Sequence, residues 1–146
     1  MSPVLIAFAV ILALGVAGYV LGFKPGDIFG MKLSSQQIAQ LASNAGFVGD
    51  DLITAVAVAL AESSGNPHAH GDLGLPGEGS FGLWQIYSAA HPEYGPDFTA
   101  LYDPQTNANA AYSIYQTAGF RFTPWTTYKE GTYSAYITQA QQGVNA

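Results

Sequence analysis

The sequence predicts an all-α domain, in which the irregular segment at residues 63–82 leaves room for at most a small β-hairpin. Two observations carry this prediction. Helix-start signals stand at Ser34 and at Asp103-Pro104, because Ser and Asp cap helices and Pro suits the first turn. Residues 52–61 are apolar except for Thr54 and rich in Ala and Leu, a run too long for a typical strand.

The N-terminal residues predict a membrane anchor. Residues 3–23 contain no charged side chain, and about 20 apolar residues suffice to cross a bilayer as a helix. A cleaved signal peptide would carry a basic segment before a shorter apolar core, but no Lys or Arg precedes this run. We therefore expect a single-pass anchor at residues 1–23 with the lipid bilayer as partner, a linker at 24–31 and a domain at 32–146.

Four helices are expected in the domain. Ser34 and Gln37 form a capping-box pattern, so a first helix should begin there and end near Gly46. Gly49 to Asp51 should cap the second helix, which runs through the apolar residues to Glu62. The third is expected from Asp103 to about Thr117, and the last at about residues 133–141.

The loop at residues 63–82 has six Gly and two Pro in twenty residues. A loop of this length inside a small domain is usually functional. It also holds two acidic side chains, Asp72 and Glu78.

Glu62 is the first candidate for chemistry. It ends the apolar helix and is followed by the turn formers Ser63 to Pro67. Burial beside apolar side chains and the negative end of the helix dipole both raise the pKa of a carboxyl, and a Glu that stays protonated can act as a general acid. The alternative is that Glu62 only marks where a buried helix reaches solvent.

Composition excludes several function classes. The chain has a net charge of −6 and four Lys or Arg, so it lacks the basic surface that nucleic-acid binding requires. It has no Cys, and its three His are not spaced as zinc ligands. A zinc site is therefore not expected.

Four motifs in order resemble the soluble lytic transglycosylase and goose-type lysozyme superfamily. They are Glu62-Ser63 with Asn66-Pro67, the segment from Gly79 to Ile86 (GSFGLWQI), Leu101 to Pro104 with Asn107, and Tyr128 with Gly131. The stretch from Phe122 to Gly131 is similar to lysozyme-like domains of phage virion and tail proteins. Where the family usually reads Ala-Tyr-Asn-x-Gly, this chain has Thr-Tyr-Lys-Glu-Gly, which keeps Tyr128 but changes its neighbours.

The resemblance implies a lysozyme-like fold and cleavage of the β-1,4 bond from N-acetylmuramic acid to N-acetylglucosamine in peptidoglycan glycan strands. Glu62 matches the catalytic Glu, and Tyr128 matches a tyrosine that orients it. Ser80 and Gln85 match positions that line the sugar cleft. The resemblance also implies that no metal and no cofactor take part in the reaction. Asn107 and His91 are expected to be structural, as a helix-start hydrogen bond and a loop anchor.

Three functions stay open. The first is a membrane-anchored lytic transglycosylase of a phage virion that aids genome entry, located in a virion membrane or the bacterial envelope, with other virion membrane proteins as candidate partners. The second is a hydrolysing lysozyme in which Asp72 or Glu78 activates water. The third is a wall-binding or structural membrane protein that keeps the fold without catalysis.

Overall fold

The computed structural model describes residues 31–146, so the expected anchor at residues 3–23 and nearly all of the 24–31 linker lie outside the described residues. Within residues 31–146, no helix combines the length and apolar character needed to span a membrane. Lys32–Ala146 form one compact unit.

The described part of the chain is mostly helical, as predicted. Its α-helices are α1 (Ser35–Ala45), α2 (Gly49–Ser63), α3 (Pro104–Thr117), α4 (Thr126–Lys129) and α5 (Ile137–Asn145), and 3-10 turns cover Pro92–Tyr94, Phe98–Tyr102 and Thr132–Tyr136. The capping box at Ser34 and the Asp103 cap are present as predicted. The single turn α4 was not predicted, because four residues are too few to show a helical period.

Helix α2 is the central element of the domain. Its residues from Ala55 to Leu60 are all buried, and it packs against α1, α5 and the 3-10 turn Thr132–Tyr136. The predicted cap at Gly49 to Asp51 was wrong in position: Val48 is the N-cap and makes no side-chain cap bond, while Asp50 and Asp51 lie in the first turn. There their charges still complement the helix dipole.

The loop region forms a small antiparallel sheet rather than at most a hairpin. Strands β1 (His70–Gly71), β2 (Ser80–Phe81) and β3 (Ile86–Tyr87) lie in the order β1-β2-β3, with Gly71 opposite Ser80 and Ser80 opposite Tyr87. The third strand was missed because a two-residue strand is too short to show the alternation that identifies strands.

Asn107 holds the turn between β2 and β3 against α3. Its buried side chain donates to the carbonyls of Phe81 (2.8 Å) and Leu101 (3.0 Å) and accepts from the backbone amide of Trp84 (2.9 Å). Gly82 makes this approach feasible, because a Cβ there would lie 2.3 Å from Asn107 Nδ2 and its φ is +78°. Asn107 is thus structural, but Asp103 makes the helix-start bond.

Two buried indoles connect α2 to α4. Trp84 Nε1 donates to the Ala55 carbonyl in α2 (3.0 Å), and Trp125 Nε1 donates to the Trp84 carbonyl (2.8 Å). Trp125 immediately precedes α4. The position of α4 relative to α2 is therefore set by hydrogen bonds that are shielded from water.

Candidate active site

Glu62 is the penultimate residue of α2. The helix ends directly after it, because Ser64 adopts a left-handed conformation and its amide bonds to the Leu60 carbonyl. Glu62 itself is half-buried. The predicted helix end is confirmed, and it places a carboxyl where a rigid, buried helix stops.

A threonine that sequence reasoning did not select contacts this carboxyl. Thr127 Oγ1 donates to Glu62 Oε1 at 2.9 Å. Thr127 lies in α4 and is 65 residues away in the chain. The signal that pointed toward it was the replacement of the family's usual Ala by Thr immediately before Tyr128.

The environment of Glu62 raises its pKa, as expected for a candidate general acid. Burial is the largest cause; the Thr127 hydroxyl and backbone amide act in the opposite direction, and the negative charge of Asp72 adds a smaller increase. Burial disfavours the charged carboxylate, whereas hydrogen bonds to it favour the charged form. Both protonation states of Glu62 are therefore brought closer in free energy near neutral pH.

Asp72 is the one of the two loop carboxylates whose charge acts on Glu62. It follows β1 with a φ of +56° and is exposed to solvent. Ser80 Oγ donates to Asp72 Oδ2 at 2.5 Å, which the pairing of Gly71 with Ser80 makes possible. The sheet thereby holds in place the carboxylate whose charge acts on Glu62.

The side chains of Ser80 and Gln85 both form hydrogen bonds within the protein. Ser80 is 1% exposed and holds Asp72, while Gln85 Nε2 donates to the carbonyls of Ala69 and Gly82, each at 3.0 Å. Their role in binding sugar stays a prediction. Their hydrogen bonds stabilise the conformation of the loop that follows Glu62.

Glu78 helps to hold the loop through hydrogen bonds of its backbone groups. Its carbonyl accepts from His70 Nε2 (2.6 Å) and its amide donates to Ser88 Oγ (2.8 Å), while its side chain is exposed. Tyr87 also donates to the Pro76 carbonyl (2.7 Å). These bonds tie the loop at residues 72–79 to the sheet.

Tyr128 lies beside Thr127 and is half-buried in an aromatic cluster. Its ring centroid is 5.7 Å from that of Phe122 and 4.9 Å from that of Tyr133. An orienting role of Tyr128 toward Glu62 stays a prediction.

Within residues 31–146, no three His, Asp or Glu side chains are grouped as they would be around an ion.

Comparison with protein families gives a match that covers the site. The model of the lysozyme-like domain matches residues 39–127, a range that includes Glu62, the loop with Asp72, the three-stranded sheet and Thr127. Comparisons with curated proteins and with solved structures gave no significant match. Because the family model covers more than half of the 146 residues, the chain belongs to the lysozyme-like domain family.

Proposed function

We propose that this protein is a lytic transglycosylase that cleaves the β-1,4 bond between N-acetylmuramic acid and N-acetylglucosamine in peptidoglycan. Membership of the lysozyme-like family supports a peptidoglycan glycosidase-type enzyme. The observation that carries the proposal is Glu62: a half-buried carboxyl at the end of a rigid helix, with a raised pKa and a hydrogen bond from Thr127.

Glu62 acts twice in the proposed reaction. As an acid it gives its proton to the bridging oxygen, the bond from this oxygen to muramyl C1 breaks, and the N-acetylglucosamine end leaves as an alcohol. As a base, the carboxylate then takes the proton of the muramyl 6-hydroxyl while O6 bonds to C1. The product is a 1,6-anhydro ring, no water is consumed, and Glu62 is again protonated.

Hydrolysis is the second candidate, and Asp72 is the observation that favours it. Its exposed carboxylate is held by Ser80 and its charge reaches Glu62. Glycosidases that hydrolyse often use a second carboxylate to activate water on the opposite face of the sugar. In that reaction a water oxygen bonds to C1 and its proton passes to Asp72.

Product analysis separates the candidates. The 146-residue chain is incubated with purified sacculi, and released muropeptides are measured by mass spectrometry before and after borohydride reduction. We expect anhydro ends, which do not reduce, and we expect Asp72→Asn to leave that product type unchanged. Reducing ends that disappear in Asp72→Asn would instead establish hydrolysis. Binding to sacculi without any released muropeptide would reject both and favour the non-catalytic alternative.

We also propose that residues 3–23 anchor the enzyme in a bilayer, in a phage virion or the bacterial envelope. The support is the uncharged 21-residue run and, for the virion and its other membrane proteins as partners, the resemblance of residues 122–131 to phage tail domains. The chain should stay with membranes after an alkaline carbonate wash. The double variant Leu12→Arg/Leu14→Arg should be released, because each charge opposes insertion. Release of the unmodified chain would reject the anchor.

A further inference from the structure

We propose that Thr127 is a positioning residue for Glu62, and that its hydroxyl determines which oxygen of the carboxyl exchanges the catalytic proton. The inference rests on the proposed role of Glu62 as acid and base. It adds a residue that neither the motifs nor the expected tyrosine supplied.

The direction of one hydrogen bond selects the oxygen. Thr127 Oγ1 donates to Glu62 Oε1 at 2.9 Å. In a protonated carboxyl, one oxygen carries the proton and the other, the carbonyl oxygen, is the better acceptor. With Oε1 engaged as the acceptor, the proton resides on Oε2. Oε2 is then the oxygen that gives the proton to the bridging oxygen and later receives one from the sugar hydroxyl.

The surroundings of Thr127 hold its side chain in position for this contact. Thr127 is β-branched and therefore stiff at χ1, and its carbonyl accepts from Thr132 Oγ1 at 3.1 Å. Trp125, two residues before Thr127, donates a hydrogen bond to the carbonyl of Trp84, and the Trp84 indole donates one to the carbonyl of Ala55 in α2. The helix that carries Glu62 and the turn that carries Thr127 are thus joined by two buried hydrogen bonds.

The ring of the neighbouring Tyr128 packs in an aromatic cluster. Consecutive residues in a helix are rotated by about 100° around its axis. Thr127 faces Glu62, whereas the ring of Tyr128 packs on Phe122 and Tyr133. Thr127 is the residue of this turn whose side-chain hydroxyl donates to the Glu62 carboxyl.

Thr127 also balances the two tasks of Glu62. Burial pushes the pKa of Glu62 upward, and the Thr127 hydroxyl opposes that change by stabilising the carboxylate. A group that must first give and then take a proton works best when neither form is strongly favoured. The position of one hydroxyl thereby affects both halves of the reaction.

The test measures the pKa of Glu62 directly, by following its side-chain carboxyl carbon by NMR during a pH titration of the isotopically labelled chain. The variants are Thr127→Val, which keeps the shape but lacks the hydroxyl, and Thr127→Ser, which keeps the hydroxyl. Thr126→Val is the matched control, because Thr126 is exposed in the same turn. The kcat and KM for sacculus cleavage are measured against pH for each variant.

In Thr127→Val we expect the pKa of Glu62 to rise by about one unit, as loss of a hydrogen bond to a charged group implies. The alkaline limb of kcat/KM should move upward equally, and kcat should fall about tenfold or more with little change in KM. Thr127→Ser should restore both, and Thr126→Val should match the unmodified chain.

An unchanged Glu62 pKa in Thr127→Val, or an equal rise in Tyr128→Phe, would overturn the proposal. The titration needs no substrate. A chain that does not cleave peptidoglycan but shows the expected titration would therefore reject the proposed function and leave the Thr127 contact established.

Discussion

Replacement of Glu62 by Gln is expected to lower the rate of peptidoglycan cleavage about a thousandfold, within the range that general acid–base catalysis contributes. Gln has nearly the same shape and can still accept the hydrogen bond that Thr127 donates to Oε1. Its amide N–H is far too weak an acid to give a proton to the bridging oxygen. Release of soluble muropeptides from sacculi, measured at several enzyme concentrations, is the direct readout.

The same variant should be more stable than the unmodified chain at pH 7. The folded-state pKa of Glu62 lies above its ordinary value of 4.5 because of burial, so the folded state binds this proton more tightly than the unfolded state does. Ionised Glu62 therefore destabilises the fold at pH values above its folded pKa. That cost decreases as the pH falls below this pKa, because the carboxyl becomes neutral in the folded state, and it is gone below the unfolded-state value of 4.5.

Urea unfolding at pH 7 and at pH 4 tests the predicted gain in stability of Glu62→Gln. Glu62→Gln should unfold at a higher urea concentration than the unmodified chain at pH 7, and the difference should shrink at pH 4. Glu130→Gln serves as the control, since Glu130 is an exposed carboxylate at the end of α4. Retention of more than a tenth of the activity by Glu62→Gln would contradict the assignment of Glu62 as the acid.

Asn107→Ala is expected to lower the free energy of unfolding by about 3 kcal/mol or more. The side chain is fully buried and makes three hydrogen bonds to backbone groups of Phe81, Trp84 and Leu101. Its removal leaves these groups without their partner, and a buried unsatisfied polar group costs about 1–3 kcal/mol. Water that enters the space left by the side chain would bind some of these three groups. We therefore expect a loss near the lower end of their summed cost.

Chemical denaturation of Asn107→Ala and Asn109→Ala makes a matched comparison. Both residues lie in α3, but Asn109 is exposed and only accepts a bond from Gln105, so its replacement should change the unfolding free energy by less than about 0.5 kcal/mol. Equal stability of the two variants would show that the turn at Gly82 does not depend on Asn107.

The elements that could be predicted from the sequence are those whose signals lie close together in the chain. Ser34 with Gln37, Asp103 with Pro104, and the apolar run before Glu62 each act within about one to three helical turns. Capping and burial periodicity are local properties. The start of α2 was misplaced by a few residues, because helix ends are set partly by packing and several residues near Val48 offered similar starts.

The site, like the fold, has features that the sequence predicts and features that only the tertiary structure decides. The sequence alone determined that a carboxyl stands at the end of an apolar helix and is followed by a Gly-rich loop, and from this it predicted the raised pKa of Glu62. The choice of Glu62 as the catalytic residue came from the resemblance of the four motifs to a known superfamily. Only the tertiary structure decided which groups meet that carboxyl. Thr127, which is 65 residues away, binds it, Asp72 acts on it by charge, and Ser80 binds Asp72. These contacts depend on Trp84, Trp125 and Asn107 bringing distant segments together. The hydrogen-bond partners of buried groups follow from packing in three dimensions, which spacing along one chain does not specify.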